Sequence, residues 1–408
     1  MIVVGGTYWE TCASPEWARM QGSGFRAAMA LSELCPGLHL HTYAPIEWID
    51  DLKASLDPRG VVSTVARIGQ TFEFDYWYAL LKEYASRPLP KPDRHPPLVV
   101  DGSVVLAFGM LEGTARITAK RVVYDPRTAH PDASFRTARV EVGQLAYVIQ
   151  QEDLLDIARL PEPRDLRDAA ASLMRNERAD VVVARHPFGG ATVYVGERPG
   201  VEVPCHAADA WFRIGEGDVF TAAFAYWWGE KHLPPVEAAT LASRSVAFYN
   251  DGPDRFLPAG DDLSSLTPVS RPEGSWTVFL SGPNLTLSQR WLFEEARRVL
   301  GDLGAQVEIA FPKGVQAATN QCGWGLGQPG VPASLLALGD ARDPLTNVHV
   351  GFAKASGLPV VLLAEATPDW DPAVFDGTGC EIVKDLATAI YKSCIACWRT
   401  AARSEPSA

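Results

Sequence analysis

RIGEGDVFTAAFAYWW, residues 213–228, is the stretch on which the reading of this chain turns. Gly215, Glu216, Gly217 and Asp218 stand where a loop runs into an apolar helix. A helix opening presents backbone N–H groups with no partner inside the helix, and glycines let the chain come close to a ligand. Phosphoryl transfer needs a cradle for donor phosphates, compensation for charge on the moving group, and a base for the acceptor hydroxyl. Asp218 is the candidate base, and the N–H groups of Gly215, Glu216 and Gly217 are the candidate anion cradle. The same four residues also read as a plain loop entering a helix, with Asp218 as its cap.

Outward from this segment, residues 2 to about 255 alternate short apolar runs with helical patterns, as layered α/β domains do. Val3 and Val4 open a strand that ends at Gly5-Gly6. Ala27, Leu31 and Leu34 recur at helical spacing, so residues 25–35 are predicted as a helix stopped by Pro36-Gly37. Further strands are expected at 38–43, 104–108, 121–124, 145–149, 180–184 and 191–195, and helices at 74–85, 151–158, 165–176, 218–229 and 235–250. PLPKPDRHPP, residues 88–97, is predicted as a loop because proline suits neither a helix interior nor a central strand.

Residues 258–275, rich in Pro, Gly, Ser and Asp, are expected to link a first domain (1–257) to a second (276–400), with a disordered tail at 401–408. In the second domain, Val278 to Leu280 make a buried strand ending at Ser281-Gly282-Pro283. A helical stripe follows through Leu292, Ala296, Val299 and Leu300. Strands at 306–310, 334–338 and 359–363 and helices at 346–356 and 385–397 complete it.

At 408 residues and 47% hydrophobic content the chain has material for two cores, and its net charge of −12, with both signs interleaved, speaks against a nucleic-acid-coating surface. No apolar run approaches the ~20 residues that span a bilayer, and the N-terminus lacks a basic leader, so no membrane partner and a cytoplasmic location are expected. Seven scattered cysteines fit a reducing compartment; Cys394 and Cys397, the one CxxC pair, read as two buried positions on one helix face.

The 213–228 segment, with ADVVVARHPFGGATVYVGE (179–197) before it and PPVEAATLASRSVAFY (234–249) after it, resembles the ribokinase-like (PfkB) carbohydrate and nucleoside kinases. GSGFRAAMALSEL (22–34) and VVYDPR (122–127) extend the resemblance over about 250 residues. It implies a three-layer α/β/α domain, ATP and Mg²⁺, and Asp218 as catalytic base. His186, Gly189 and Gly190 would belong to a hairpin near the nucleotide. Departures from the family pattern are visible. Glu10 stands for the substrate-binding aspartate, and Arg26, four residues after Gly22, stands for an asparagine. Gln150 and Asp153 stand for the Asn-x-x-Glu that places metal and phosphate, and Arg213-Ile214 for Thr-Thr. A guanidinium in place of a neutral amide favours an acceptor carrying carboxylate or phosphate. Glu10 and Arg26 also read as a solvated loop carboxylate and a surface helix residue.

TVFLSGPNLTLSQRWLFEEARRVLGDLGAQVEIAFP (277–312) and LLALGDARDPLTNVHVGFAKASGLPVVLL (335–363) resemble nucleoside 2-deoxyribosyltransferases. The resemblance implies a small doubly wound, flavodoxin-like α/β domain with a nucleoside site at Ser281, Gly282, Pro283, Asp340 and Asp343. His349 takes the place of the glutamate nucleophile, and an imidazole does not readily replace a carboxylate that both attacks and stabilises an oxocarbenium-like centre. Three readings stand: a nucleoside-binding module, a modified glycosidase using Asp340 or Asp343 to activate water, and a structural or dimerising domain. AATNQCGWGLGQPG (317–330) contains a Gly-x-Gly-x-x-Gly at Gly325, Gly327 and Gly330 and is predicted as a flap, since no strand leads into it.

The expectation is therefore an ATP-dependent kinase acting on a hydroxyl of a sugar, nucleoside or related small molecule, fused to a nucleoside-binding domain, with a homodimer left open. The alternatives are a nucleotide-sensing protein with two degenerate sites, and nucleoside N-glycosidic cleavage by the C-terminal half.

Overall fold

The computed structural model describes residues 1–80, 84–85, 95–126, 134–158, 165–252, 256–310, 331–339, 343–365 and 375–404. The chain divides into two compact units, Met1–Pro268 and Val269–Ala408.

The first unit is built on β1 (Ile2–Val4), β2 (Tyr8–Ala13), β3 (Glu16–Gln21), β4 (His39–Pro45), β5 (Val62–Ile68), β6 (Glu73–Tyr76), β7 (Tyr84–Ala85), β8 (His95–Phe108), β9 (Gly113–Asp125), β10 (Arg139–Gln150), β11 (Val181–Arg185), β12 (Ala191–Val195) and β13 (Val201–Val203). Nine of these form one sheet in the order β13-β12-β11-β10-β9-β8-β1-β4-β5, parallel from β5 to β11 and antiparallel beyond. The remaining four make a separate sheet, β3-β2-β6-β7. Helices α1 (Ser23–Leu31), α2 (Ile49–Leu56), α5 (Glu216–Phe224) and α6 (Pro235–Asn250) cover one face, and α3 (Gln151–Ala158) and α4 (Leu166–Glu177) the other. Alternation along each strand sorts side chains between the faces: Val181 and Val183 pack with α5 and α6, whereas Val182 and Ala184 pack with α3 and α4. This is the expected three-layer α/β/α arrangement.

β8 and β9 are parallel neighbours of 14 and 13 residues joined by only four, residues 109–112. Straight strands of that length span over about 40 Å, far beyond the reach of such a link, so each must double back on itself. Tyr43 Oη donates to the carbonyls of Pro96 (2.9 Å) and Thr114 (3.1 Å), which places the two strand starts together. Gly102, by contrast, lies against Ile2, where a Cβ would come within 2.8 Å of Cδ1. The first legs carry Leu98, Val100, Ala115 and Ile117 into the same core as Val105, Ala107 and Val122 of the second legs. Strand layers thus cover part of the face that α3 and α4 leave open.

Several expectations are corrected. Of the helix predicted at 74–85, residues 74–76 and 84–85 are instead strand, in β6 and β7, and 77–80 are bend and turn; Phe74 and Tyr76 are aromatics that suit a pleated surface. The tail end of the proline-rich loop, Pro96 and Pro97, lies inside β8, at the register shift between His95 and Leu98 where ladder bonding is interrupted. The helix predicted at 218–229 is regular only to Phe224 and continues as a wider π-type turn, Ala225–Glu230. The segment read as a linker, 258–275, is partly packed: Leu263 and Val269 are buried.

In the second unit, preceded by the short strands β14 (Cys205–His206) and β15 (Pro268–Val269), a five-stranded parallel sheet runs β17-β16-β18-β19-β20. Its strands are β16 (Thr277–Ser281), β17 (Gln306–Ile309), β18 (Ala333–Leu338), β19 (Val360–Leu363) and β20 (Glu381–Val383). They alternate with α7 (Leu287–Asp302), α8 (Pro344–Ala355) and α9 (Leu386–Ser404), so the expected small doubly wound domain is present and helix persists past residue 400. A capping box, Thr286 with Gln289, starts α7. Cys394 and Cys397 are buried, and burial raises both thiols, Cys397 to about 12, which leaves them inert. Gly325, Gly327, Gly330 and Asp340 lie outside the described residues.

Candidate functional site

In an open parallel sheet, chemistry collects at the carboxyl ends of the strands. In the first unit that edge carries Asp125 (end of β9), Gln150 (end of β10) and Arg185 (end of β11), and the N-terminal turn of α5 packs there. Gly215 forms the entry to α5 in a left-handed conformation, φ +86°, which glycine adopts without penalty. A Cβ on Gly215 would lie 2.4 Å from Cδ of Arg26, and one on Gly217 would lie 2.4 Å from Nη1 of Arg185. The two glycines therefore let two guanidinium groups press against the helix opening.

Asp218 is 1% exposed. Arg26 Nη1 donates to its Oδ2 at 2.5 Å, while Arg26 Nη2 donates to Glu10 Oε2 at 2.6 Å. Glu10 in turn accepts the backbone N–H of Gly22 at 2.9 Å, at the mouth of α1. Gly22 has φ +91°, and a Cβ there would meet the Gly6 carbonyl at 2.7 Å, so only glycine brings the start of α1 this close to the end of β1. Both Glu10 (3% exposed) and Arg26 (7%) are buried, which overturns their solvated readings. Burial, the largest single effect, lowers the Arg26 pKa, but Glu10 together with Tyr249 and Tyr76 turns the net shift upward, and the guanidinium stays charged.

A second cluster surrounds the cradle. Glu216 is buried, paired with Arg213 and accepting from Asn250 Nδ2 at 2.6 Å. Its N–H donates to the Arg213 carbonyl at 3.3 Å, so one of the three expected cradle amides is already engaged. Arg185 Nη2 lies 3.5 Å from Asp125 Oδ2, which also accepts from Thr221 Oγ1 at 3.0 Å. Across these pairs four carboxylates (Glu10, Asp125, Glu216, Asp218) meet three guanidiniums (Arg26, Arg185, Arg213).

The structure thus brings together Glu10, Gly22, Arg26, Gly215, Glu216, Gly217 and Asp218. Gln150 is exposed and sits opposite Arg185 in the parallel ladder; Asp153 lies in the first turn of α3, on the face away from α5. His186 N–H and Gly189 N–H close a tight turn, His186 Nε2 and Thr192 Oγ1 are 2.8 Å apart, and Gly190 has no room for a Cβ beside the Val203 carbonyl. The sequence reading missed Arg185, Asp125 and Asn250. Arg185 had a signal: a charged residue closing a run of buried valines at the strand end where ligands gather.

In the second unit, Ser281 ends β16 beside β18, where the strand order reverses. Ser281 Oγ and His349 Nδ1 are 2.7 Å apart, Thr346 Oγ1 is 3.4 Å from Ser281 Oγ, and Thr346 donates to Asp343. Ser281, Thr346 and His349 are all buried. Burial lowers the His349 pKa, with Asp343 opposing, which favours the neutral imidazole. Gly282 sits where a Cβ would meet Leu338 Cβ at 2.8 Å, and Pro283 follows.

Among the described residues, no group of three or more His, Cys, Asp or Glu is placed to hold a metal ion, and no helix is long and apolar enough to cross a membrane. No family model matches the sequence, and no curated protein is similar to it. Its structural neighbours are ribokinase-family kinases. Ribokinase from Thermotoga maritima aligns at 15% identity over 65% of this chain and 97% of that one, with a TM-score of 0.47. Phosphofructokinase-2 from Escherichia coli, in complex with substrates and products, aligns at 14% identity over 65% and 97%, TM-score 0.47. A pyrophosphate-dependent kinase of the ribokinase family, complexed with a pyrophosphate analogue and myo-inositol, aligns at 16% identity over 65% and 100%, TM-score 0.45.

Proposed function

We propose that the first unit transfers a phosphoryl group from ATP to a hydroxyl of a sugar, nucleoside or related polyol, with Asp218 as the base. The observation that carries this reading is Asp218 in the first turn of α5, at the carboxyl edge of the parallel sheet, paired with Arg26 and one residue after Gly217, on which Arg185 presses. The acceptor O–H gives its proton to Asp218, its oxygen attacks the γ-phosphorus, and ADP leaves. Arg185 and the N–H groups of the α5 opening suit the oxyanions of the moving group. Mg²⁺, when bound, would offset donor charge that three guanidiniums already matched by four carboxylates leave uncompensated. With few protein ligands at hand it would be held largely by phosphate oxygens and water, as this ion commonly is, with Asp125 the nearest carboxylate to the Arg185 side.

The test is nucleotide consumption against a panel of pentoses, hexoses, nucleosides and sugar phosphates, with pyrophosphate as a second donor. Asp218→Asn should keep the fold and abolish transfer; unchanged turnover would remove Asp218 as the base. A second reading, ligand binding without turnover, is favoured by the Arg26–Asp218 pair, since a guanidinium occupies the base. Thermal stabilisation by nucleotide with no ADP formed under any acceptor would decide for it.

For the second unit we infer a nucleoside site at the carboxyl edge of its sheet, around Ser281, Asp343 and His349. The sheet reversal between β16 and β18 supports it. A neutral His349 bonded to Ser281 is poorly suited to replace a glutamate nucleophile, so binding is favoured over glycosyl transfer.

A further inference from the structure

We infer that Arg26 is a latch on Asp218, released by an acceptor that itself carries a negative charge. The inference rests on the phosphotransfer reading above and specifies how its base is exposed. One guanidinium joins three separate elements: Glu10 on β2 of the four-stranded sheet, Arg26 on α1 and Asp218 on α5. Its Nη atoms serve the two carboxylates. Its Nε–H, beside Gly215, is buried with no hydrogen-bond acceptor, so the group is under-satisfied on the side that faces the helix opening.

A neutral polyol reaching for Asp218 would have to separate a buried ion pair, leaving Asp218 without its cation and Arg26 with Glu10 alone. A carboxylate or phosphate on the acceptor changes that exchange. It takes the place of Asp218 on Arg26, while Glu10, anchored on the Gly22 N–H, keeps hold of the other arm of the guanidinium. Asp218 is then free to accept the hydroxyl proton. Without such an acceptor the base stays engaged, no water is activated, and the donor is protected from hydrolysis. Arg26 is thus a specificity-determining and positioning residue.

The experiment supplies MgATP, and separately pyrophosphate, with ribose 5-phosphate and gluconate as charged probes and ribose and myo-inositol as neutral ones. Calorimetry with each probe and no donor reads binding alone. The wild-type chain should bind a charged probe at least about tenfold more tightly than its neutral counterpart, and transfer to it about a hundredfold more efficiently. Arg26→Gln with Glu10→Gln, which removes both charges of that pair, should erase the preference and raise acceptor-independent donor hydrolysis about tenfold. Arg26→Lys, which keeps the charge, should retain the preference in weakened form. Equal binding and equal transfer of charged and neutral probes by the wild type would overturn the latch while leaving phosphotransfer standing. Absence of transfer from either donor to any probe would overturn the kinase reading beneath it.

Discussion

Asp218 in the first unit and Ser281 in the second hold comparable places, each at the carboxyl edge of a parallel sheet, yet they are kept in opposite ways. Asp218 is gripped by a charged partner at 2.5 Å, whereas Ser281 shares a neutral hydrogen bond with His349 at 2.7 Å. The ionic arrangement is sensitive to the loss of any one member, because a buried charge without its partner has nowhere to be solvated. The neutral arrangement loses only a hydrogen bond. The first kind of site resembles a switch, set by which anion holds the arginine; the second is a pre-formed, uncharged floor.

The sharpest way to break this comparison is Arg26→Ala. It strands Glu10 and Asp218 as buried carboxylates and should destabilise the first unit by about 3–5 kcal/mol, read as a lower denaturant midpoint of its transition. Replacing all three groups with uncharged isosteres, Glu10→Gln, Arg26→Met and Asp218→Asn, should restore most of that loss. If Arg26→Ala alone is tolerated within about 1 kcal/mol, the network is solvated in solution and the contrast with Ser281 disappears.

A smaller effect is expected at Gly215→Ala. A non-glycine residue in the left-handed region costs about 1–2 kcal/mol, and the new Cβ would push on Arg26 Cδ, so about 2 kcal/mol in all is the expectation. The useful readout is the pairing itself: displacement of Arg26 should raise donor hydrolysis without acceptor, whereas Gly282→Ala in the second unit, which presses on Leu338, should leave that rate unchanged.

How much of this was legible from sequence depends on the distance over which each feature is determined. The strands expected at 104–108, 121–124 and 145–149 correspond to the distal parts of β8, β9 and β10, because continuous apolar runs buried on both faces mark themselves locally. The first legs of β8 and β9 were missed although their pattern is one of alternation: Asp101, Arg116 and Lys120 are exposed beside buried Val100, Ala115, Ile117 and Ala119, a short period-2 signal whose buried side is supplied by the partner leg folded against it. The site behaves the same way. Gly215, Gly217 and Asp218 were readable as a tetrapeptide because a helix opening is a local object. The burial of Glu10 and Arg26 was not, since it depends on an ion pair 192 positions apart, and a lone arginine on a helix more often faces water.

The smallest predicted effect lies in the second unit and tests whether its floor is as indifferent as proposed. Ser281→Ala removes the hydrogen-bond partner of His349 Nδ1 but adds no charge, so it should cost about 1 kcal/mol near neutral pH. The wild-type unit carries its own pH signature. His349 is held below its ordinary pKa in the fold, so the unfolded chain takes up the proton first as acidity rises. Stability is therefore complete above about 6.5 and declines as pH falls below that value toward the folded pKa. His349→Gln should flatten this decline. A loss in Ser281→Ala as large as that in Arg26→Ala would mean the second site also holds a charge in place, an imidazolium facing Asp343, and the two units would then share one design.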